Sequence, residues 1–137
     1  MKIPRLALAT RNPGKIAEIR EILADWAVAE ELVTGEWGEV EETGETLEEN
    51  ALLKAQAVME ASGLPALADD TGLEVTALGG RPGVHTARYA GPDATFDDNI
   101  DKLLLELRDV SDRSARFVSV VALVFPDGSH YTAEGAI

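Results

Sequence analysis

From Phe117 to Phe125 the chain is β-branched and apolar almost without a break. A run of that kind reads as a strong strand and requires a sheet around it. Pro126-Asp127-Gly128 reads as a turn, and Tyr131 onward as the return strand of a hairpin. Residues 3–10 are a second short apolar run, read as a buried strand and broken by Asn12-Pro13-Gly14. Helical spacing fills the intervals. Ile16, Ile19, Ile22 and Leu23 mark a helix from about Lys15 to Asp25. Leu47, Ala51, Ala55, Val58 and Met59 mark a second helix. It opens at the capping-box pattern Thr46-Leu47-Glu48-Glu49 and closes at Ser62-Gly63. Ile100, Leu103, Leu104 and Leu107 mark a third within residues 94–108. Pro65 to Ala68 reads as a short strand that turns at Asp69-Asp70-Thr71-Gly72 into a partner strand, Leu73 to Leu78. Helices alternating with strands give the fold class α/β, a mixed sheet with flanking helices.

The 137 residues suit one domain, and a chain of this length buries roughly two-thirds of its unfolded surface without metal or disulfide staples. Twelve Lys and Arg face 25 Asp and Glu, a formal net charge of -13, which disfavours binding to a polyphosphate backbone. Aromatic residues make up 5% of the chain, too few for a base-stacking surface, so no nucleic-acid partner is expected. With no cysteine, thiolate catalysis, disulfides and Cys-based metal sites are excluded. The apolar run at the N-terminus is too short for a signal-peptide core, and no stretch approaches the ~18 residues of a membrane span. The expected location is the cytoplasm, with no membrane partner.

Three segments could carry chemistry. Thr10-Arg11-Asn12-Pro13-Gly14-Lys15 lies between a buried strand and a helix, where free backbone N–H groups and the helix dipole attract phosphate. It lacks the first glycine of a P-loop, and an ordinary strand–helix turn is the plain alternative. Asp69-Asp70-Thr71-Gly72 places two carboxylates side by side, an arrangement that calls for a cation or a raised pKa. Magnesium, which takes one or two carboxylates plus phosphates, fits that demand; a hairpin cap is the alternative. Glu41-Glu42-Thr43-Gly44 could supply a further carboxylate. Residues 30–49 hold nine glutamates and no Lys or Arg, so a solvated acidic face is the default there, above all for Glu30, Glu31, Glu36 and Glu39. His85 and His130 sit in no metal-ligand pattern.

Taken in order, Leu8 to Lys15, Glu42-Thr43-Gly44, Glu49-Asn50-Ala51 with Lys54-Ala55, Ala68 to Leu73, Gly79 to Gly83 and Ala87-Arg88-Tyr89 span nearly the whole chain. This set resembles the inosine/xanthosine triphosphate pyrophosphatase family, also called Ham1-like. The resemblance implies a mixed sheet in two lobes around a cleft. It implies Mg²⁺-dependent hydrolysis of non-standard purine nucleoside triphosphates (ITP, dITP, XTP) to the monophosphate and pyrophosphate, by a homodimer. Thr10, Arg11, Asn12, Pro13, Gly14 and Lys15 would hold the triphosphate, and Thr71 would touch substrate. Glu42 and Asp70 would bind the metal. Asp70 would also be the general base, with Asp69 sharing one of these roles. The resemblance leaves open whether Glu45, Glu49 and Lys54 line the cleft.

The family's Gly-Phe-Gly-Tyr-Asp-Pro and Ser-His-Arg segments, both expected near the nucleotide, do not occur here. The expected organisation is therefore a single pyrophosphatase domain, residues 1–137, truncated at its C-terminus. Two other readings stand beside it: a non-catalytic nucleotide- or phosphate-binding fragment, and a Maf-like pyrophosphatase acting on another nucleotide.

Overall fold

Parallel pairing organises the N-terminal half of the sheet. In the computed structural model, which describes residues 2–26, 29–38 and 40–137, strand β1 (Ile3–Leu8) pairs in parallel with β2 (Ala29–Val33) on one side and β3 (Ala66–Val75) on the other. Helix α1 (Pro13–Trp26) carries the chain from β1 to β2, and α2 (Leu47–Ser62) carries it from β2 back past β1 to β3. The two crossovers step in opposite directions. Because such connections are right-handed, they lie on opposite faces of the sheet. The cores agree. Ile16, Ile19 and Leu23 of α1 pack on Ile3, Leu6, Leu8 and Leu67. Leu47, Ala51 and Ala55 of α2 pack on Ala68, Val118, Val120, Ala122 and Val124.

The C-terminal half is antiparallel. β5 (Ala115–Val124) pairs along the whole of β3, and β6 (His130–Ala136) pairs with β5, giving the order β2-β1-β3-β5-β6. A two-residue strand, β4 (Pro82–Gly83), adds to β3 on the β1 side. The expected mixed sheet is thus present. In β5, the alternating residues Val118, Val120, Ala122 and Val124 are buried, whereas Phe117 and Val121 on the other face remain exposed. Helix α3 (Phe96–Glu106) opens with a complete capping box between Thr95 and Asp98. It is tied to the 3-10 turn Thr86–Arg88 and the residues after it, through Asn99 to the Ala87 carbonyl and Ala90 N–H and through Lys102 to the Tyr89 carbonyl.

Two expectations need correction. Residues 69–72 are not a hairpin turn: Asp69-Asp70-Thr71-Gly72 lies inside a single ten-residue strand, and Leu73–Leu78 is no partner strand. Ten consecutive pairs with β5 outweigh the turn propensity of Asp and Gly. Residues 30–49 are not simply a solvated face, because Ala29–Val33 is a strand. Leu32 joins the core under α1, while Glu31 pairs with Arg5 at 3.2 Å on the outside. Of the glutamates read as surface, Glu39 lies outside the described residues. Gly72 permits the β3–β4 contact, since a side chain there would drive its Cβ into the Gly83 carbonyl. Gly72→Ala is expected to destabilise the chain by about 1–3 kcal/mol in urea denaturation, the usual range for overpacking, and an unchanged midpoint would contradict that packing.

Candidate active site

β1 ends at Leu8, paired with Leu67, and its ladder closes with the Ala9 N–H donated to the Leu67 carbonyl at 2.9 Å. β3 continues to Val75, and β4 joins the same edge only at Leu73. Residues 69–71 therefore have a strand partner on one side only, β5. The opening lies at the carboxyl end of β1, where one crossover leaves above the sheet and the other below. Open α/β sheets bind ligands at such switch points.

The Thr10–Lys15 turn borders this opening. Asn12 caps α1: its Oδ1 accepts the N–H of Gly14 at 2.9 Å and of Lys15 at 3.4 Å. The Asn12 N–H donates to Thr10 Oγ1 at 3.2 Å, and Pro13 has no N–H. The N–H groups of Asn12, Gly14 and Lys15, expected to be free, are thus taken up by side chains of the turn itself. What it offers an anion is the Lys15 ammonium and the positive end of the α1 dipole.

Adjacent residues of a strand point to opposite faces, and this separates the two aspartates. Asp69 faces the α1 side, where Lys15 Nζ lies 2.9 Å from its Oδ2. Thr71 faces the same way, with its hydroxyl on Ser119 Oγ at 3.0 Å. Asp70 faces the α2 side, where Lys54 Nζ lies 3.6 Å from Asp70 Oδ1 and 3.3 Å from Glu42 Oε1. The structure thus brings Glu42 and Asp70 to one ammonium and places Asp69 with Lys15 instead. The sequence reading, with Asp69 and Asp70 in one cluster, merges what the sheet divides. Arg11 lines a pocket of about 260 Å³ with Glu42, Lys54, Trp37 and Val40 on the Asp70 side.

Burial raises the Asp70 carboxyl above its ordinary value of 3.8, and the Glu42 charge adds to the rise. Lys54, Asn50 and the Thr71 N–H oppose it. The Thr71 N–H reaches Asp70 Oδ1 at 3.1 Å, but Asp70 Oδ2 is buried without a hydrogen-bond partner. The Glu41–Gly44 loop is fixed to α2 beside this carboxylate. Asn50 Oδ1 accepts the Gly44 N–H at 2.7 Å, and Glu49 accepts the Glu45 N–H at 2.7 Å. Glu49 thus holds the chain before the helix, while Thr46 caps it by accepting the Glu49 N–H at 3.1 Å. Lys54, left open in the sequence reading, is central. Asn50, given no role there, is fully buried. An asparagine at the spacing of Leu47, Ala51 and Ala55, on the core stripe of a helix, was the available signal.

Two carboxylates suit a hard cation that keeps waters and substrate phosphates as its other ligands. Lys54 held between Glu42 Oε1 and Asp70 Oδ1 shows where positive charge is favourable. The donor set therefore fits Mg²⁺. No cluster of three or more His, Cys, Asp or Glu able to hold a metal occurs among the described residues. A pKa raised by folding means the folded chain holds the Asp70 proton more tightly than the unfolded chain. Stability is thus lost as the pH rises from 3.8 through that raised value, above which the ionised carboxylate weakens the fold in full. Asp70→Asn is expected to raise the denaturation midpoint at pH 7, with the gain fading as the pH falls toward 3.8. Equal midpoints at pH 7 would contradict the buried carboxylate.

The Ham1 family model matches residues 6–137. The chain is 48% identical over 139 residues to a dITP/XTP pyrophosphatase of Streptomyces coelicolor, covering 97% of this chain and 70% of the relative. It is 51% identical over 131 residues to one of Syntrophobacter fumaroxidans, covering 94% of this chain and 56% of the relative. The chain thus spans between about half and about two-thirds of the length of such relatives. Among solved structures, a HAM1 protein from Coxiella burnetii superposes with a TM-score of 0.87 at 40% identity, over 98% of this chain and 71% of that one. The Ham1 protein of Staphylococcus aureus gives 0.85 at 39%, over 97% and 69%. No helix among the described residues is long and apolar enough to cross a membrane. On the match over residues 6–137 and these identities, the chain belongs to the Ham1 family.

Proposed function

We propose that this chain carries the phosphate- and metal-binding part of a nucleoside triphosphate pyrophosphatase acting on dITP, ITP and XTP. The observation that carries this reading is the convergence of Glu42 and Asp70 on Lys54 beside the Thr10–Lys15 turn. The substrate class follows the names of relatives that share about half of this sequence.

Glu42 and Asp70 would hold Mg²⁺, which when bound neutralises triphosphate charge that a chain of net charge -13 would otherwise repel. Lys15, at the start of α1, and Arg11 supply further positive charge, with Thr10, Asn12, Pro13 and Gly14 shaping the turn that presents them. Thr71 offers its hydroxyl from the opposite face of β3, and Asp69 holds Lys15 in place through their ion pair. Asp70 is the general base. Burial raises its proton affinity, so it can take a proton from water as that oxygen attacks the α-phosphorus. The bond between the α-phosphorus and the bridging oxygen breaks, and pyrophosphate leaves with the electron pair. Lys54 stays within reach of both Glu42 and Asp70 and balances their charge as the proton moves. Magnesium rests on the family resemblance together with this donor set, a homodimeric state on the resemblance alone, and a cytoplasmic location on the composition and short N-terminal apolar run of the sequence.

Pyrophosphate release from dITP, ITP, XTP, dATP and GTP, with and without Mg²⁺, tests the proposal. Release that requires Mg²⁺ and favours the first three is the expected result. Asp70→Asn is expected to lower kcat by about 10²–10⁴-fold, the span typical of a lost general base. Full activity in Asp70→Asn, or none in a folded wild-type chain, would overturn the reading.

A further inference from the structure

Asn50 is fully buried on the core face of α2, where every other inward residue is apolar or small. Its backbone N–H is used by the helix, bonded to the Thr46 carbonyl at 3.2 Å. Its side-chain oxygen is used by the loop, accepting the Gly44 N–H at 2.7 Å. Its side-chain nitrogen has no hydrogen-bond partner, and neither has Asp70 Oδ2, the other buried polar side-chain atom left without one among the described residues. A buried amide with two unused donors, near a buried carboxylate oxygen with an unused lone pair, is costly unless something joins them. Gly44 is matched to the same spot. A Cβ there would stand 2.6 Å from Asn50 Oδ1 and 2.7 Å from Glu49 Cβ, so only glycine lets the loop reach the amide.

We propose that Asn50 is a positioning residue that clamps the Glu41–Gly44 loop to Asp70. One end of its amide holds the Gly44 N–H, and the other donates to Asp70 Oδ2. Glu42 and Asp70 belong to a loop and a strand far apart in sequence, and no backbone ladder joins these two segments. Lys54 reaches both from the open side, and Asn50 is the buried side chain that touches the loop and lies beside the strand carboxylate. With Oδ2 held from the core side, Asp70 Oδ1 is left toward Lys54 and Glu42, where a cation would sit. The clamp thus sets both the separation of the two carboxylates and which oxygen Asp70 presents.

The inference rests on the metal-site reading above, and Mn²⁺ alone is a probe that separates the two. Binding is followed by electron paramagnetic resonance on folded wild type, Asp70→Asn, Asn50→Leu, Gly44→Ala and the double variant Asn50→Leu with Gly44→Ala. Asn50→Leu keeps the branching at Cγ and the number of heavy atoms and removes both ends of the clamp. It is expected to weaken Mn²⁺ binding at least tenfold, with Gly44→Ala weakening it as well. The double variant should be no weaker than the worse single, because both changes break one link. Wild-type affinity in Asn50→Leu overturns the clamp, while equal affinity in wild type and Asp70→Asn overturns the metal site itself. A residue that served only packing would lower the denaturation midpoint and leave the affinity of folded molecules unchanged. If Asn50→Leu does not fold, the Asn50 side-chain amide signal of the wild-type chain decides by nuclear magnetic resonance. It is expected to move on adding Mg²⁺ and not to move in Asp70→Asn, and an amide indifferent to Mg²⁺ in the wild type overturns the proposal.

Discussion

The site depends on a difference in strand length. β1 stops at Leu8, whereas its neighbour β3 runs on to Val75, and β4 does not take up the vacated edge until Leu73. Had β1 continued, residues 69–71 would be enclosed in a ladder and their side chains pressed under helices on both faces. Because it stops, the chain leaves the sheet at Thr10, α1 begins at Pro13, and the opening has a helix N-terminus on one border and two carboxylates on the other. The opposite placement of α1 and α2 follows from right-handed crossovers stepping in opposite directions from a central strand. Topology thus decides where a ligand can enter before any particular side chain decides which ligand.

The period of two along a strand does the rest. It sends Asp69 to Lys15 and Asp70 to Lys54, so that each carboxylate is paired with its own ammonium rather than with its neighbour. Asp70 is the more deeply placed of the two, with Glu42 close by, and its carboxyl is held above the ordinary range. This is a local conflict within an otherwise consistent sheet, and such conflicts gather at functional sites. Asn50 and Gly44 bear on the same point, one as a polar side chain in an apolar stripe and the other as a glycine packed against it.

Much of the fold was legible because it rests on local signals. The alternation in Ile16, Ile19 and Leu23, the Thr46 cap, the glycine at position 63 and the apolar run at 117–124 each act over a few residues. The two misread segments depend on partners far away in sequence. Asp69-Asp70-Thr71-Gly72 has turn composition, yet pairing with Val118–Val121 keeps it extended. Ala29–Val33 carries two glutamates, yet pairing with β1 makes it a strand. The site was legible as a set of motifs and not as a geometry. Glu42, Asp70 and the Thr10–Lys15 turn stood out by residue type and order, while the separation of Asp69 from Asp70 is visible only once residues 66–75 are known to be a single strand.

Anomalous diffraction from crystals of the chain grown with Mn²⁺ and a non-hydrolysable analogue of ITP tests the central claim most directly. The account predicts a single strong Mn²⁺ peak between the Glu42 and Asp70 carboxylates, with the phosphates reaching toward Lys15 across the opening beside β3. A peak bound instead to Asp69 on the α1 face, or phosphates seated away from the Thr10–Lys15 turn, would contradict it.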